Sequence, residues 1–397
     1  MHFYNSIEYH YLPIPFAILT ICGTWCPENF STISKQIYKL FTIVSVFLGI
    51  ILFVEILIDV ILSNGTIYFK LDNIFAVLVF SVGLYKTINV LCYRSMILSF
   101  ITDYVDNQWY RPRNVKEIGI QQNMKSKTRW LFAVYTILII TSMILRSLTP
   151  ILESKKFINL PFVAWYPYKI DNPLSFWLTY CHQIISGATL SCMHLSTDTL
   201  FVGFLLHMNC QINILIVRLK DFGNESAIGN DSQSEIHNEV MMKMTMAKLV
   251  REHQRIYRYG YTLQKTFEII LMGQLIVVVP NFLINIYSLS IYIERLDLKY
   301  FMTIFFTIIS VMQIGMLCWY GNDILLGSKD IGNALYECNW TTVNQQTKKI
   351  LLMMIVRTSK PLFISVINVI PINISTLLRV MKMSYSTFNL IQRTSAQ

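Results

Sequence analysis

The sequence predicts an all-α membrane protein with seven transmembrane helices, and three observations support this fold class. Of the 397 residues, 54% are hydrophobic and only 14% are charged, whereas soluble domains carry about 25% charged residues. Seven segments are long and apolar enough to cross a bilayer. Lysine and arginine are concentrated in alternate connecting segments. These features exclude a soluble enzyme, a disordered regulator and a nucleic-acid-binding protein.

Each predicted span has the roughly 20 mostly apolar residues that a helix needs to cross the hydrocarbon core. No two of the segments resemble each other, so the chain contains no internal repeat. The seven predicted spans are Ile37–Ser63, Leu71–Tyr93, Arg129–Leu152, Leu174–His207, Thr266–Ile291, Tyr300–Tyr320 and Pro361–Ile391.

The distribution of basic residues predicts the direction of the spans. Connecting segments on the N-terminal side of the membrane carry about threefold more lysine and arginine than those on the other side. This places the N-terminus in the cytoplasm and the C-terminus outside. The apolar run from Tyr11 to Trp25 contains Pro13 and Pro15 and is too short for a span. We expect it to be interfacial or re-entrant.

Several helices are expected to extend beyond the membrane. A helix from Leu174 to Leu219 would be ~70 Å long, against a hydrocarbon core of ~30 Å. The polar stretch from Asp221 to Glu239 should end it, with helix resuming near Val240. A further helix is expected at 341–356. Spans four to six therefore extend into what we interpret as a cytoplasmic bundle.

The C-terminal third of the chain contains the residues that suggest a family. The stretch Gly321-Asn322, Ser328, Ala334-Leu335-Tyr336, Trp340, Lys348-Lys349, Leu352 and Arg357 to Leu362 resembles the span 6–7 region of insect odorant receptors. The ending Lys382 to Phe388 is similar to that family's terminal Ser/Thr-Tyr-Ser signature, and His253, Ile256, Leu263 and Phe267 fit its entry into span five.

The resemblance implies a ligand-gated, non-selective cation channel in the plasma membrane of a sensory neuron dendrite. The expected ligand is a small volatile organic molecule, and the expected partner is a co-receptor subunit in a heteromeric tetramer. The chain lacks the long cytoplasmic insertion expected of that co-receptor, so it is similar to a tuning subunit. The resemblance implies no cofactor and no nucleic acid. Its implied subunit contacts include Tyr336, Trp340, Lys349 and Arg357.

The predicted organisation has six parts. They are a cytoplasmic or interfacial segment (1–36), spans one to four (37–207), a cytoplasmic extension and loop (208–265), spans five and six (266–320), a cytoplasmic anchor region (321–360), and pore helix seven with a short extracellular tail (361–397).

Span seven has a periodic polar face. Positions three or four apart are polar at Ser365, Asn368, Ser375, Arg379, Lys382, Ser386 and Asn389, with Ile372 between them. Such a face lines either a water-filled pore or a polar helix interface. In a pore, the positive charges of Arg379 and Lys382 would oppose the flow of cations. The resemblance implies a gate near the outer end, and Lys382, Tyr385, Phe388, Asn389 and Ile391 are the pore and gate candidates. The sequence does not determine which face of span seven lines the pore.

An apolar pocket with few polar groups suits a volatile ligand. The family places it in the outer halves of spans two, three, four and six. The candidate residues are Phe75, Leu78, Ser142, Met143, Phe176, Tyr180, Gln183, Ile184, Met302, Phe305 and Phe306. Tyr180 and Gln183 are the strongest polar candidates.

Ionisable residues inside the spans need partners. Depth in the membrane predicts pairing of Arg146 with Glu55 or Asp59, and of Lys86 with Asp198.

Other functions remain open at this stage. A gustatory receptor-type channel is the nearest alternative. A transporter would usually show internal repeats and helices broken by Gly or Pro. A G-protein-coupled receptor would have the opposite orientation. An enzyme is least expected, because neither a nucleophile–base arrangement nor a metal-ligand cluster is present, and no catalytic or metal-binding residue is predicted.

Overall fold

The computed structural model describes residues 12–27, 29–62, 67–106, 111–153, 160–223, 232–292 and 298–395. Its helices are α1 (Pro13–Ile21), α2 (Thr32–Leu62), α3 (Ile67–Cys92), α4 (Arg94–Asp106), α5 (Val115–Glu153), α6 (Pro173–Asp221), α7 (Ser232–Tyr292), α8 (Leu298–Glu337), α9 (Gln345–Thr358) and α10 (Ile374–Ser395). A 3₁₀ turn covers Trp340–Thr342, and the short strands β1 (Ser365–Val366) and β2 (Ile370–Pro371) pair antiparallel.

Helix α6 is the centre of the molecule. It packs against α1, α2, α3, α5, α7 and α8, and most extensively against α8. From Leu195 to Met208 every residue is buried. A helix without a distinct polar face belongs in a core, and α6 is accordingly buried on all sides along this stretch. The predicted long helix is confirmed, because α6 contains 49 residues.

Six helices are long and apolar enough to cross a membrane in the described part of the chain, as expected for a membrane protein. They cover Thr32–Leu62, Leu71–Cys92, Val115–Ile151, Pro173–Asp221, Glu239–Tyr292 and Leu298–Glu337. Helix α7 contains 61 residues, or ~90 Å at 1.5 Å per residue. We call the end where α6 ends and α7 begins the distal end, and the end where α6 begins and α7 ends the cavity end. Helix α7 begins at Ser232, earlier than predicted, and α9 lies close to the predicted 341–356 helix.

The predicted continuous span Pro361–Ile391 is wrong over its first 13 residues, because α10 begins at Ile374. A β-hairpin precedes α10, and its turn residues Ile367 and Asn368 have φ values of 53° and 54°. Pro371 cannot donate a backbone hydrogen bond. Asn373 then caps the helix, since its Oδ1 accepts from the Thr376 amide at 3.0 Å.

The proposed eight-residue polar face on one helix is therefore also wrong. Ser365, Asn368 and Ile372 precede α10. The Nε2 of Gln264 in α7 donates to Ser365 Oγ at 3.1 Å and to Asn368 Oδ1 at 2.9 Å. These side chains hold the hairpin against α7, and the helical part of the polar face begins at Ser375.

Helix α1 packs against the core of the helix bundle. Phe16, Leu19 and Trp25 are fully buried, and α1 contacts α6. The guanidinium of Arg94 lies 4.9 Å from the Trp25 ring centroid and donates to the Cys26 carbonyl at 2.5 Å. These contacts fix the segment 12–27 against the bundle, and its position relative to the membrane stays a prediction.

One predicted ion pair is confirmed and the other is wrong. Lys86 Nζ lies 2.5 Å from Asp198 Oδ1 in the interior. In contrast, Glu55 lies 3.3 Å from His182 Nε2. Asp59 accepts a hydrogen bond from Asn73 Nδ2 at 2.7 Å. Both acidic residues predicted for Arg146 therefore contact other groups.

Candidate ligand-binding cavity

A cavity of about 550 Å³ lies at the cavity end, between α3, α5, α6, α7, α8 and the segment that precedes α6. Seven of the eleven predicted pocket residues line it. They are Phe75, Ser142, Met143, Gln183, Ile184, Met302 and Phe306. The residues implied by the family resemblance therefore lie together at one cavity, on α3, α5, α6 and α8, and their contact with a ligand stays a prediction.

Two predicted residues lie on helix faces that turn away from the cavity. Leu78 and Phe305 do not line it, although Val79 and Phe306 do. Successive residues on an α-helix point about 100° apart. The interpretation of Leu78 and Phe305 as pocket residues therefore requires correction.

Phe176 and Tyr180 lie above the cavity, nearer the start of α6, and do not line it either. Their rings contact each other in a tilted arrangement with centroids 5.9 Å apart. The Tyr180 hydroxyl donates to the Ser147 carbonyl at 2.5 Å, so it joins α6 to α5. The Tyr180 hydroxyl, which the sequence predicts as a ligand contact, therefore forms its hydrogen bond within the chain.

Gln183 lines the cavity, but its amide is occupied by the chain. Nε2 donates to the Phe162 carbonyl at 2.8 Å and to the Tyr166 hydroxyl at 2.6 Å, and Oε1 accepts from the Phe162 amide at 2.9 Å. Its side chain is fully buried. Gln183 therefore holds the 160–166 segment in place as one wall of the cavity.

Aromatic rings form much of the remaining wall. Phe75 of α3 and Phe306 of α8 lie with centroids 5.2 Å apart. Phe80 meets Phe162 at 5.4 Å in an edge-on arrangement. Such pairs are rigid apolar surfaces that suit the body of a small organic molecule.

Arg146 lines the cavity and was not predicted as a ligand contact. Its Cζ lies 4.7 Å from the Phe162 ring centroid, within the range of a cation–π contact. Its Nε is buried and finds no hydrogen-bond acceptor in the described part of the chain. Asp72 and Lys299 line the same cavity. The spacing of Arg146 from Ser142, four residues apart on one helix, could have indicated a shared face.

A profile of the family described as 7tm Odorant receptor matches residues 66–385. The chain belongs to this odorant receptor family. Odorant receptor 94a of Drosophila melanogaster is 23% identical over 288 residues, which cover 72% of this chain and 71% of that protein. Odorant receptor 46a, isoform A, of the same species is 24% identical over 306 residues, covering 74% of each chain.

The fold of this odorant receptor is similar to that of the insect olfactory receptor OR5 from Machilis hrabei. The TM-score is 0.77 at 14% sequence identity, over 97% of this chain and 98% of that one. The structure of OR5 in complex with eugenol gives a TM-score of 0.78 at 14% identity, over 98% of this chain and 100% of that one.

The predicted gate residues of the receptor lie on α10. Val380 and Ser384 face the rest of the chain and are buried, whereas Lys382 and Tyr385 are exposed. Phe388 and Asn389 are half-buried, and the side chain of Ile391 lies outside the described residues. Lys382 and Tyr385 therefore point away from the core of the chain.

The predicted assembly residues of the receptor are all exposed at the distal end. Tyr336 and Trp340 lie at and just beyond the end of α8, and Lys349 and Arg357 lie on α9. The Arg357 guanidinium lies 4.3 Å from the Tyr257 ring centroid. Leu352, Met353 and Val356 on α9 are 62%, 70% and 65% exposed. An apolar helix face is thus left uncovered in the single chain.

Among the described residues, no group of three or more His, Cys, Asp or Glu side chains could hold a metal ion.

Proposed function

We propose that this chain is the odour-tuning subunit of a ligand-gated, non-selective cation channel, and that a small volatile molecule binds in the cavity. The observation that carries the proposal is the cavity of about 550 Å³ where five membrane-length helices converge. Its combination of aromatic walls and a few polar groups is typical of small-molecule sites. Membership of an odorant receptor family supports the same ligand class.

The proposed path from ligand to pore runs through α7 and α8. Both helices line the cavity, with Ile284 and Asn285 on α7 and Met302 and Phe306 on α8. Both also pack against α10. A ligand that fits the open arrangement of α7 and α8 better than the closed one shifts the population towards an open pore.

Helix α10 is the proposed pore helix. Its support is the division between a face packed on its own subunit, at Val380 and Ser384, and an exposed face at Lys382 and Tyr385. The gate is proposed around Tyr385 and Phe388. Four copies of α10 around one axis would give each exposed face a neighbour.

The proposed orientation places the distal end in the cytoplasm of a sensory neuron dendrite and the C-terminus outside. The concentration of lysine and arginine in segments on that side supports it. Helices of 49 and 61 residues support a cytoplasmic bundle, because they exceed the ~30 Å hydrocarbon core. The co-receptor subunit is the proposed partner at the uncovered α9 face.

The proposed function is tested by expressing the chain with and without a co-receptor subunit and recording currents during an odorant panel. Fast cation currents only on co-expression are expected. Currents from this chain alone would instead indicate a self-sufficient channel of the gustatory type. Surface labelling of both subunits separates a silent receptor from one that is not exported.

A pair of neighbouring phenylalanines tests the position of the ligand. Phe306 lines the cavity, whereas Phe305 is half-buried on a different face of α8. Removing a ring that contacts the ligand should lower sensitivity at least about tenfold, since burying such a side chain contributes ~1.5–3 kcal/mol. Phe306→Ala should therefore raise the half-maximal concentration while Phe305→Ala leaves it nearly unchanged. Equal shifts for both variants would contradict a ligand in this cavity.

A further inference from the structure

We infer that the cavity selects ligands that carry a carbonyl or carboxylate oxygen, and that the guanidinium of Arg146 receives this oxygen. The inference rests on the proposed function for the position of the ligand and adds its chemical class. It depends on the surroundings of one side chain of the cavity wall, Arg146.

Arg146 has a donor available in a buried place. Its Nε finds no acceptor among the described residues although the atom is buried. Its guanidinium lies over the Phe162 ring, with Cζ 4.7 Å from the centroid. The ring positions the guanidinium but offers no acceptor to the N–H groups, which point outward in the guanidinium plane. A buried unpaired donor is unfavourable. A ligand oxygen in the cavity would remove this penalty.

The two carboxylates predicted to pair with Arg146 contact other groups. Glu55 lies 3.3 Å from His182, and Asp59 accepts from Asn73 at 2.7 Å. Asp72 lines the same cavity as Arg146. No ion-pair contact joins Asp72 to Arg146 among the ion pairs of the described residues. Arg146 therefore forms no ion pair among the described residues, and its Nε finds no acceptor there.

Several other polar groups of the cavity already donate within the chain, so the buried Nε of Arg146 is an open donor beside them. The Gln183 amide makes three hydrogen bonds to the 160–166 segment. Ser142 Oγ donates to the Ile139 carbonyl at 2.7 Å. Thr303 Oγ1 donates to the Lys299 carbonyl at 2.9 Å. An oxygen acceptor therefore meets an open donor, whereas an alkane leaves that donor unpaired.

Charge disfavours an amine at the same position. Arg146 and Lys299 both line the cavity, against one carboxylate, Asp72. An ammonium group near the guanidinium would be repelled in a site of low dielectric. The apolar body of the ligand would lie against Phe75 and Phe306. The expected order of preference is carboxylate or ester first, then alkane, then amine.

A matched ligand series tests this order on the receptor expressed with its co-receptor subunit. The series is octanoate, methyl octanoate, octane and octylamine, repeated for chains from butyl to dodecyl. Dose–response currents are recorded, and binding of each compound to the purified complex is followed by thermal shift. Octanoate against its ester separates a need for charge from a need for an oxygen acceptor.

Variants of Arg146 provide the decisive comparison. Arg146→Gln should weaken the acid and the ester at least about tenfold and change the alkane less than about twofold, because hydrogen bonds to charged groups are the stronger ones. Arg146→Lys should retain part of the acid response. Arg129→Gln is the matched control, since Arg129 is exposed on the same helix and does not line the cavity.

Three results would overturn the inference. They are a preference for amines or alkanes, an equal loss for every ligand in Arg146→Gln, and failure of every acid and ester to bind. Thermal shifts that follow the expected order without any current would support the ligand class and contradict the channel proposal. Currents that are unchanged in the Arg146 variants would support the channel proposal and contradict the ligand class.

Discussion

Lys86 and Asp198 meet inside the helix bundle, where an unpaired charge would be very unfavourable. Their side chains are 0% and 3% exposed, and Nζ lies 2.5 Å from Oδ1. The second oxygen of Asp198 accepts from Gln313 Nε2 at 2.7 Å. Asp198 on α6 therefore connects α3 to α8. Because both side chains are buried, the attraction between them is largely offset by the cost of removing them from water. The main effect of the pair is that neither charge is left buried without a partner.

Removing one member of this pair should destabilise the receptor more than removing both charges. Lys86→Met leaves Asp198 as a buried anion and should lower stability by about 3–5 kcal/mol. Lys86→Met combined with Asp198→Asn removes both charges and keeps an acceptor for Gln313, so most of the loss should be recovered. Melting temperatures of the purified receptor and its surface expression measure both. A double variant as unstable as the single one would contradict this account.

The sequence could not predict which polar side chains of the site already form hydrogen bonds within the chain. Tyr180 and Gln183 have the residue types and depth of ligand contacts, yet both bond within the chain. Arg146 was assigned to an ion pair, yet its Nε is left open. These outcomes depend on partners distant in sequence, such as Phe162 and Ser147. Only the folded contacts determine them.

At the scale of elements, apolar periodicity predicted most helices and failed where a helix ends. The long helix α6 followed from uninterrupted apolar spacing without proline. The start of α10 was missed because Pro371 and Asn373 were counted as helix interior, although proline and an N-cap residue mark a helix start. The hairpin turn at Ile367 has positive φ, which β-branched residues rarely adopt. No local propensity predicts it.

At position 321, where α8 passes the start of α10, only glycine fits without a steric clash. A Cβ on Gly321 would collide with the Ile372 carbonyl just before α10. Gly321→Ala should therefore displace the start of α10 and lower the maximal current without changing ligand binding. Gly315→Ala is the matched control, because a Cβ on Gly315 of the same helix meets nothing within 4 Å. Thermal shift with a ligand and current amplitude are the two measurements. Loss of ligand binding in Gly321→Ala would contradict a local effect on α10.

On the scale of the whole molecule, ion pairs fix the distal end into one unit. Arg218 of α6 contacts Glu117 of α5 at 2.7 Å and Glu252 of α7 at 2.9 Å. Arg113 also contacts Glu252, at 2.8 Å. Arg218 is largely buried, so removing one partner would leave a charge unpaired. Three long helices are thus held together beside α9.

Assembly should depend on the uncovered face of α9 that this unit supports. Met353 is 70% exposed there beside Leu352 and Val356. A buried charge at an interface is unfavourable, so Met353→Glu should reduce co-purification with the co-receptor subunit while leaving the isolated chain folded. Val115→Glu is the control, because Val115 is 85% exposed at the start of α5 near the same end. Paired affinity tags quantify co-purification, and the melting temperature of the isolated chain checks its fold. Equal recovery of both variants with the co-receptor would place the subunit contact elsewhere, whereas selective loss in Met353→Glu would mean that the apolar face of α9 is covered by a neighbouring subunit.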